Sequence, residues 1–365
     1  MKYLHWRLPP TLLVSFRIPR MAIPVLFSIR AAQAEVPLNR GTIIGRGYAY
    51  LLCTVSLAQS VMAAENFPMR PIRMIIPAAP GGAPDITGRM IAGEISKQMG
   101  QQVVVENRPG SGGVIGFEAT ARATPDGYTL GLATFPIATN PSVYAKLPYD
   151  TLRDFQMVVQ LTTGVNLLAV YPAVKVNSIR DLVELARKSP GKLSFGSSGY
   201  GTSMHVSMEL FKRLTGVDLL HVPYKSIQQA ITDTIGGQIQ MVCDNMGSIL
   251  PHVKAGSMRG LGVTSRERSK HVLMKDFLTV AEQGVPGYEI TGWSGYMVPA
   301  RVPREIVLRL NAEINKAISS KYVTSRFEAV GSTSVGGTPE QFNAHVRREI
   351  VKWEQVLKSA GIRAE

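Results

Sequence analysis

The chain has 365 residues, 45% of them hydrophobic and 18% charged, a balance that suits a folded α/β protein and excludes a disordered or fibrous chain. That length exceeds one ordinary domain, so two lobes are expected. The formal charge of +14 leans on the start of the chain: residues 1–64 hold seven basic and one acidic side chain, leaving 33 basic and 25 acidic, +8, for the rest.

In chain order, an export signal comes first. Arg46 precedes an apolar run at 48–58, and Val61-Met62-Ala63 offers the small residues a signal peptidase reads, so cleavage is expected before Ala64 or Glu65, with 1–64 as leader. The run falls short of the about 20 apolar residues that span a bilayer, which favours export to the periplasm over anchoring. Residues 21–34 form a poorer signal-like stretch broken by Arg30, and 1–45 read either as an over-long start or as an extended leader. Cys53 lies inside the apolar run, but Tyr50-Leu51-Leu52 before it lacks the small residue that lipoprotein processing wants. Removal of the leader leaves Cys243 alone, with no intramolecular disulfide.

Beyond the leader, apolar strands are expected at 72–76, 103–106, 128–133, 167–171, 193–196, 218–222, 239–243 and 258–264. Between them lie helical patterns. Ile86, Met90, Ile91, Ile95 and Met99 share one face ending at Gly100, and Ile179, Leu182, Leu185 and Ala186 follow a Ser178 cap. Long helices are expected at 303–320 and 339–359, with Gly361 just past the second. This alternation predicts mainly parallel sheets flanked by helices, with ligands beyond the carboxyl ends of the strands. With no repeat or low-complexity linker to separate them, the lobes are expected to be joined by crossing strands.

Two glycine-bearing loops occupy that edge. The first, 77–82, leads into a helix and can present N–H groups from Ala79, Gly81, Gly82, Ala83 and Asp85 to an anion, with Asp85 also a candidate N-cap. The second is Gly196-Ser197-Ser198-Gly199-Tyr200-Gly201-Thr202, whose Ser197, Ser198 and Thr202 hydroxyls can donate, with Thr202 also able to cap the helix carrying His205. His205 is either a ligand contact or an imidazole that ties down nearby backbone. Tyr224 and Lys225 end one strand, and Asp244 and Asn245 end another, where they meet a ligand or cap a helix near Ser248. Thr134, Phe135 and Thr139 end a third, with Phe135 offering apolar contact. No run of five basic residues and no basic face interleaved with aromatics is present, which argues against nucleic acid as a partner.

From Phe67 onward a set of motifs comes in order: RPIRMIIPAAPGGAPD at 70–85, VVVENRPGSGGVIG at 103–116, ATPDGYTLGLAT at 123–134, LPYDTLRDF at 147–155, PGKLSFGSSGYGTSMH at 190–205, LLHVPYK at 219–225 and LNAEINKAI at 310–318. In these the chain resembles the Bug, or tripartite tricarboxylate transporter, family of periplasmic solute receptors. The resemblance implies a two-lobed, Venus-flytrap α/β fold, with lobe 1 spanning 65–165 and 291–365 and lobe 2 spanning 166–290. It implies a monomeric, non-enzymatic receptor without cofactor or metal, which traps a di- or tricarboxylate, amino acid or aromatic acid at 78–85 and 196–202. The receptor delivers it to membrane transporter subunits or to a sensor. In such receptors an Asp at position 85 can also meet an amino group of the ligand. The chain departs from the pattern after Lys225, where Ser226-Ile227-Gln228 replaces the usual glycine, a change that bears on ligand size.

Enzyme motifs fit less well. The glycines at 110, 112, 113 and 116 miss the dinucleotide-binding register by one, and no phosphate-loop lysine is present. Gly196-Ser197-Ser198-Gly199 and Gly292-Trp293-Ser294-Gly295 each fall a residue short of a nucleophile elbow, so a secreted α/β hydrolase or esterase, with His205 or His221 serving a serine, is the alternative.

Overall fold

The computed structural model describes residues 67–268, 273–359, 361 and 362. The expected leader, its cleavage position and Cys53 lie outside the described residues.

Strand β1 (Ile72–Ile76) is apolar at all positions but Arg73, as suits a strand covered on both faces. It passes through the first loop into α1 (Ala83–Met99), which starts after Gly82 with proline in its first turn and stops at Gly100 in the left-handed region, φ 66°. Next come β2 (Val103–Asn107), a 3-10 turn (Ser111–Gly113), α2 (Val114–Ala121), β3 (Thr129–Thr134) and α3 (Pro136–Val143). The 16-residue β4 (Phe155–Val170) leads to α4 (Ile179–Lys188), whose Ser178 cap accepts from the Asp181 N–H. Alternation then resumes with β5 (Ser194–Ser197), α5 (Ser203–Thr215), β6 (Leu220–Pro223), α6 (Ile227–Ile235), β7 (Met241–Asn245), α7 (Met246–Lys254) and β8 (Arg259–Val263). The chain closes with β9 (Thr291–Pro299), α8 (Arg304–Ile318), α9 (Lys321–Ala329), β10 (Ser332–Gly336) and α10 (Pro339–Ser359). No described helix is long and apolar enough to cross a membrane.

The ten strands run in the order β2-β1-β3-β9-β4-β7-β5-β6, with β10 and β8 also on β4. Up to Val165, β4 pairs with β9 and β10; from Asn166 to Val170 it pairs with β7 and β8. One strand thus carries two half-sheets. Where it changes partners, the Asn166 N–H donates to Thr264 Oγ1 (2.9 Å) and the Thr264 N–H donates to the Asn166 carbonyl (3.0 Å). The Ile290 N–H donates in turn to the Thr264 carbonyl (3.0 Å), so the approach to β9 is tied to the same point. The expected parallel ladders are the outer ones, β1 with β2 and β3, and β5 with β6 and β7. Those around β4 and β9 are antiparallel, because the two crossing strands run in opposite directions.

Each half-sheet is packed on both faces. Ile76, Ile91 and Leu310 are buried together on one side of the first half, and Leu167, Val242 and Met246 on one side of the second. A further core joins Phe135, Trp293 and Trp353 to Val206 and Phe211. There Trp293 Nε1 and Trp353 Nε1 both donate to Glu349 Oε2 (3.0 and 2.9 Å), fastening α10 over β9.

Close packing at that crossing generates a prediction. A Cβ at Gly295 in β9 would lie 2.6 Å from the Val159 carbonyl oxygen and would also strike the Phe342 ring, whereas one at Gly93 in α1 meets nothing within 4 Å. Gly295→Ala is expected to destabilise by about 1–3 kcal/mol, and Gly93→Ala to be neutral or stabilising by up to about 1 kcal/mol, both read as shifts in Tm.

Candidate ligand-binding site

Parallel pairing brings the loops to common edges. Ile76 lies opposite Asn107, so the chain leaves β1 and β2 side by side, into the first loop and into the 3-10 turn. Close contact keeps these two segments together, since a Cβ at Gly116 would stand 2.7 Å from Pro77 Cβ. In the second half Ser197 lies opposite Pro223, and the Tyr224 N–H donates to the Ser197 carbonyl (2.9 Å), placing the second loop beside the start of α6.

Two crossings then join the halves. Gly112, at φ 58°, meets Tyr200 so closely that a Cβ would strike its carbonyl oxygen, and Thr139 Oγ1 donates to the Gly201 carbonyl (2.5 Å). On the other side Gln228 Nε2, from the first turn of α6, reaches within 3.7 Å of where a Gly82 Cβ would stand. First loop, 3-10 turn, second loop and α6 start therefore close into a ring, with the two glycine loops at different corners.

Inside the ring many polar groups are already engaged. Asp85 is the third residue of α1 and not its N-cap, because Gly82 followed by Pro84 sets the helix start three residues earlier than the acid suggests. Its carboxylate, 4% exposed, accepts from the Gly81 N–H (2.9 Å), Arg89 Nε (3.1 Å) and Asn107 Nδ2 (2.9 Å). Burial pushes its pKa up, but the hydrogen bonds from Arg89, Gly81 and Asn107 outweigh that and hold it below the usual range. Asp85 is thus an ionised brace for the first loop.

Beneath the second loop lies a histidine pair. Ser197 Oγ accepts from the Gly199 N–H (3.1 Å) and lies 2.7 Å from His221 Nε2, while His205 Nδ1 accepts from the Gly201 N–H (3.2 Å). The imidazole centroids are 4.3 Å apart, with Phe195 stacked on His221 and Tyr200 edge-on to both. Thr202 caps α5, accepting from the His205 N–H (3.4 Å) and donating to the Gly199 carbonyl (2.8 Å), and the Ser198 hydroxyl points at Met204 Sδ (3.2 Å). The N–H groups of Gly81, Gly199 and Gly201 are therefore occupied within their own loops, and that of Gly82, expected to face an anion, turns to the Ala79 carbonyl (3.5 Å). Those of Ala83 and Asp85 in α1, and of Ser203 and Met204 in α5, are first-turn groups with no intrahelical acceptor.

Several expected contacts are turned inward. Phe135 is a core residue, 3% exposed against Trp293 and Trp353, so it offers the cleft no apolar face. His205 (2% exposed) and Ser197 are buried under the loop that they shape. The Tyr224 hydroxyl donates to Asp233 Oδ2 (2.8 Å), within its own lobe. Asp244 is buried with Oδ1 accepting from Asn245 Nδ2 (3.2 Å) and Oδ2 without a partner, and burial pushes its pKa up to about 6. Asn245 holds the N-cap position of α7 without a side-chain cap bond, and a Cβ on Gly292 of β9 would be 3.7 Å from its Oδ1 and 3.8 Å from Ser203 Oγ. Thr134 ends β3 half-buried, opposite Ser294, and Lys225 is exposed. Sequence reasoning gave Gly112 no place in the site; it named Tyr200 only as part of the second loop, and Gln228 only as part of the 226–228 departure that bears on ligand size, so the contacts these residues make across the halves were missed.

A hydrolase would need an exposed serine and an oriented base. Ser197 is fully buried, His221 Nδ1 has no hydrogen-bond partner, and Glu209 Oε1 stands 3.9 Å from His205 Nε2, on the wrong imidazole.

The imidazoles set an acid limit. Burial, then each neighbouring cation, lowers His205 from 6.5 to about 3, with His221 and Lys212 adding to it, and lowers His221 from 6.5 to about 4, with Lys212 adding to it. The unfolded chain binds these protons more tightly, so the stability the pair lends is complete above pH 6.5 and falls as pH drops toward 4. The slope is at most about 1.4 kcal/mol per pH unit and ring. Denaturant unfolding at pH 7, 6 and 5 is expected to show a steeper loss in the wild type than in His221→Gln; equal slopes would contradict it.

Residues 87–362 match the family model described as tripartite tricarboxylate transporter family receptor. Protein BugT of Bordetella pertussis is 35% identical over 312 residues, covering 85% of this chain and 95% of that protein. The solved structure of R. palustris Rpa4515 with adipate superposes with a TM-score of 0.78 at 36% identity, covering 82% of this chain and all of that one. MatC (Rpa3494) from Rhodopseudomonas palustris with bound malate gives a TM-score of 0.76 at 28% identity, covering 80% of this chain and all of that one. With the ring of loops and the two-lobed α/β fold already in place, these likenesses show that the chain belongs to the tripartite tricarboxylate transporter receptor family, the Bug proteins.

Proposed function

We propose that this chain is a periplasmic receptor that traps a small carboxylate-bearing metabolite within the ring and delivers it to the membrane subunits of a tripartite transporter. One observation carries the reading: the N-termini of α1 and α5, from opposite half-sheets, stand at one ring with first-turn N–H groups that lack intrahelical acceptors. Helix N-termini carry partial positive charge and fixed donors, which suit a carboxylate without a buried cation beside it.

The nearby Arg89 is already held by Asp85 and by Asn107 Oδ1 (2.9 Å), which favours neutral donors as the anion site. We assign the carboxylate to the N–H groups of Ala79, Ala83 and Asp85 on one side, and of Ser198, Ser203 and Met204 on the other. Thr134 and Asn245, at strand ends in opposite halves, are assigned to the body of the ligand. The lobes are taken as 65–165 with 291–365, and 166–290, about the point where β4 changes partners. Because both lobes share the ligand, binding favours the closed form by its differential affinity for the two states. Adipate and malate in the two solved relatives support a dicarboxylate.

Calorimetry against a panel of mono-, di- and tricarboxylates, amino acids and aromatic acids tests this. One-to-one binding of a carboxylate without turnover is the expected result, and no binding across the panel would contradict it. Thr139→Val removes the hydroxyl that reaches Gly201 and leaves that carbonyl unpaired. It is expected to weaken the best ligand by about tenfold, from an unmet hydrogen bond of about 1–3 kcal/mol.

A further inference from the structure

Gln228 is the part of the ring to which no role has been given. It is the second residue of α6, a helix capped by Ser226, whose Oγ accepts from the Gln229 N–H (3.4 Å). Its own carbonyl accepts from Thr232 Oγ1 (2.9 Å), but its exposed carboxamide makes no hydrogen bond within the described residues. That carboxamide points across the gap between the halves, to Gly82, which has no side chain to meet it. The opposite crossing is already sealed, by the Thr139 to Gly201 bond and by Gly112 against Tyr200. At Gln228 the halves face each other through a side chain whose donors and acceptor make no hydrogen bond among the described residues.

Resting on the receptor reading, we propose that Gln228 is a specificity-determining residue that reads the second carboxylate of a dicarboxylate through its Nε2 donors. The chemistry of the surroundings favours this role. The first-loop cation, Arg89, is committed to Asp85 and Asn107, and Arg108 is committed to Glu106. A second carboxylate at this corner meets the Gln228 amide, which donates hydrogen bonds without a full charge. An acid with an apolar tail leaves the amide hydrogen bonds unmade. Glutamate at the same position would keep the size and remove the donors, placing like charge beside the ligand.

Calorimetry with adipate and hexanoate, acids of equal chain length with two and one carboxylates, tests the proposal on wild type, Gln228→Glu and Gln228→Ala. Gln228 is exposed, so neither variant is expected to shift Tm by more than a degree or two. Gln228→Glu is expected to weaken adipate at least tenfold and Gln228→Ala three- to tenfold, while hexanoate changes far less in both. Adipate affinity unchanged in both variants, or equal losses for the two acids, would overturn the role of Gln228 and leave the receptor reading standing. Failure of the wild type to bind either acid would also overturn the role of Gln228, and the receptor reading falls with it only if the whole carboxylate panel fails to bind.

Discussion

One constraint governs the molecule: β4 belongs to both half-sheets, and at Asn166 it leaves β9 and β10 for β7 and β8. A strand cannot change partners without a seam, and this seam is pinned by the Asn166, Thr264 and Ile290 backbone bonds. Everything carried at the carboxyl ends of β1 and β2 therefore faces everything carried at the ends of β5 and β6 across one line. The ring of four segments is the consequence of that topology and does not depend on one strong contact. Gly112 matters because it lets backbone from one half come close to the Tyr200 carbonyl of the other, where a side chain would hold the halves apart.

On the proposed reading the ring holds an anion through dipoles, and its ionised groups are arranged to stay out of the way. Asp85 is negative, yet its charge is balanced by Arg89 and two further donors, and it faces its own loop. The His205 and His221 pair is kept neutral by burial, so it shapes the second loop through its ring nitrogens without adding charge. What is left for an anion is a set of oriented N–H groups at two helix starts. Such donors need no reorganisation when the ligand arrives, and release stays easy because no full salt bridge has to be broken.

Much of this was legible in the residues and part was not, for physical reasons. Strand β1 is a dense apolar run covered on both faces, and its limits of 72–76 can be read directly. The first part of β4 carries Gln156, Gln160, Thr162 and Thr163, and β10 reads Ser-Thr-Ser-Val-Gly; neither shows the continuous apolar run of a parallel strand. Strand β9 is broken as a pattern by Gly292 and Gly295, the latter required by close packing against Val159 and Phe342, so it shows no continuous apolar run. The glycine loops were visible because the turns need glycine. Which of their N–H groups stay open was not, since Ser197, His205 and Asp85 occupy some of them through bonds that exist only once the chain is folded. His221 and Gln228 act from β6 and α6, so their places in the ring follow from strand pairing rather than from local pattern.

The central claim is that main-chain N–H groups from both halves hold one carboxylate at the same time. Amide hydrogen exchange of the protein with and without a bound dicarboxylate measures this directly. The account predicts that segments 78–86 and 198–206 gain protection together on binding, while the edge strand β2 does not change. Protection confined to one of the two segments, or appearing elsewhere with both left untouched, would contradict it.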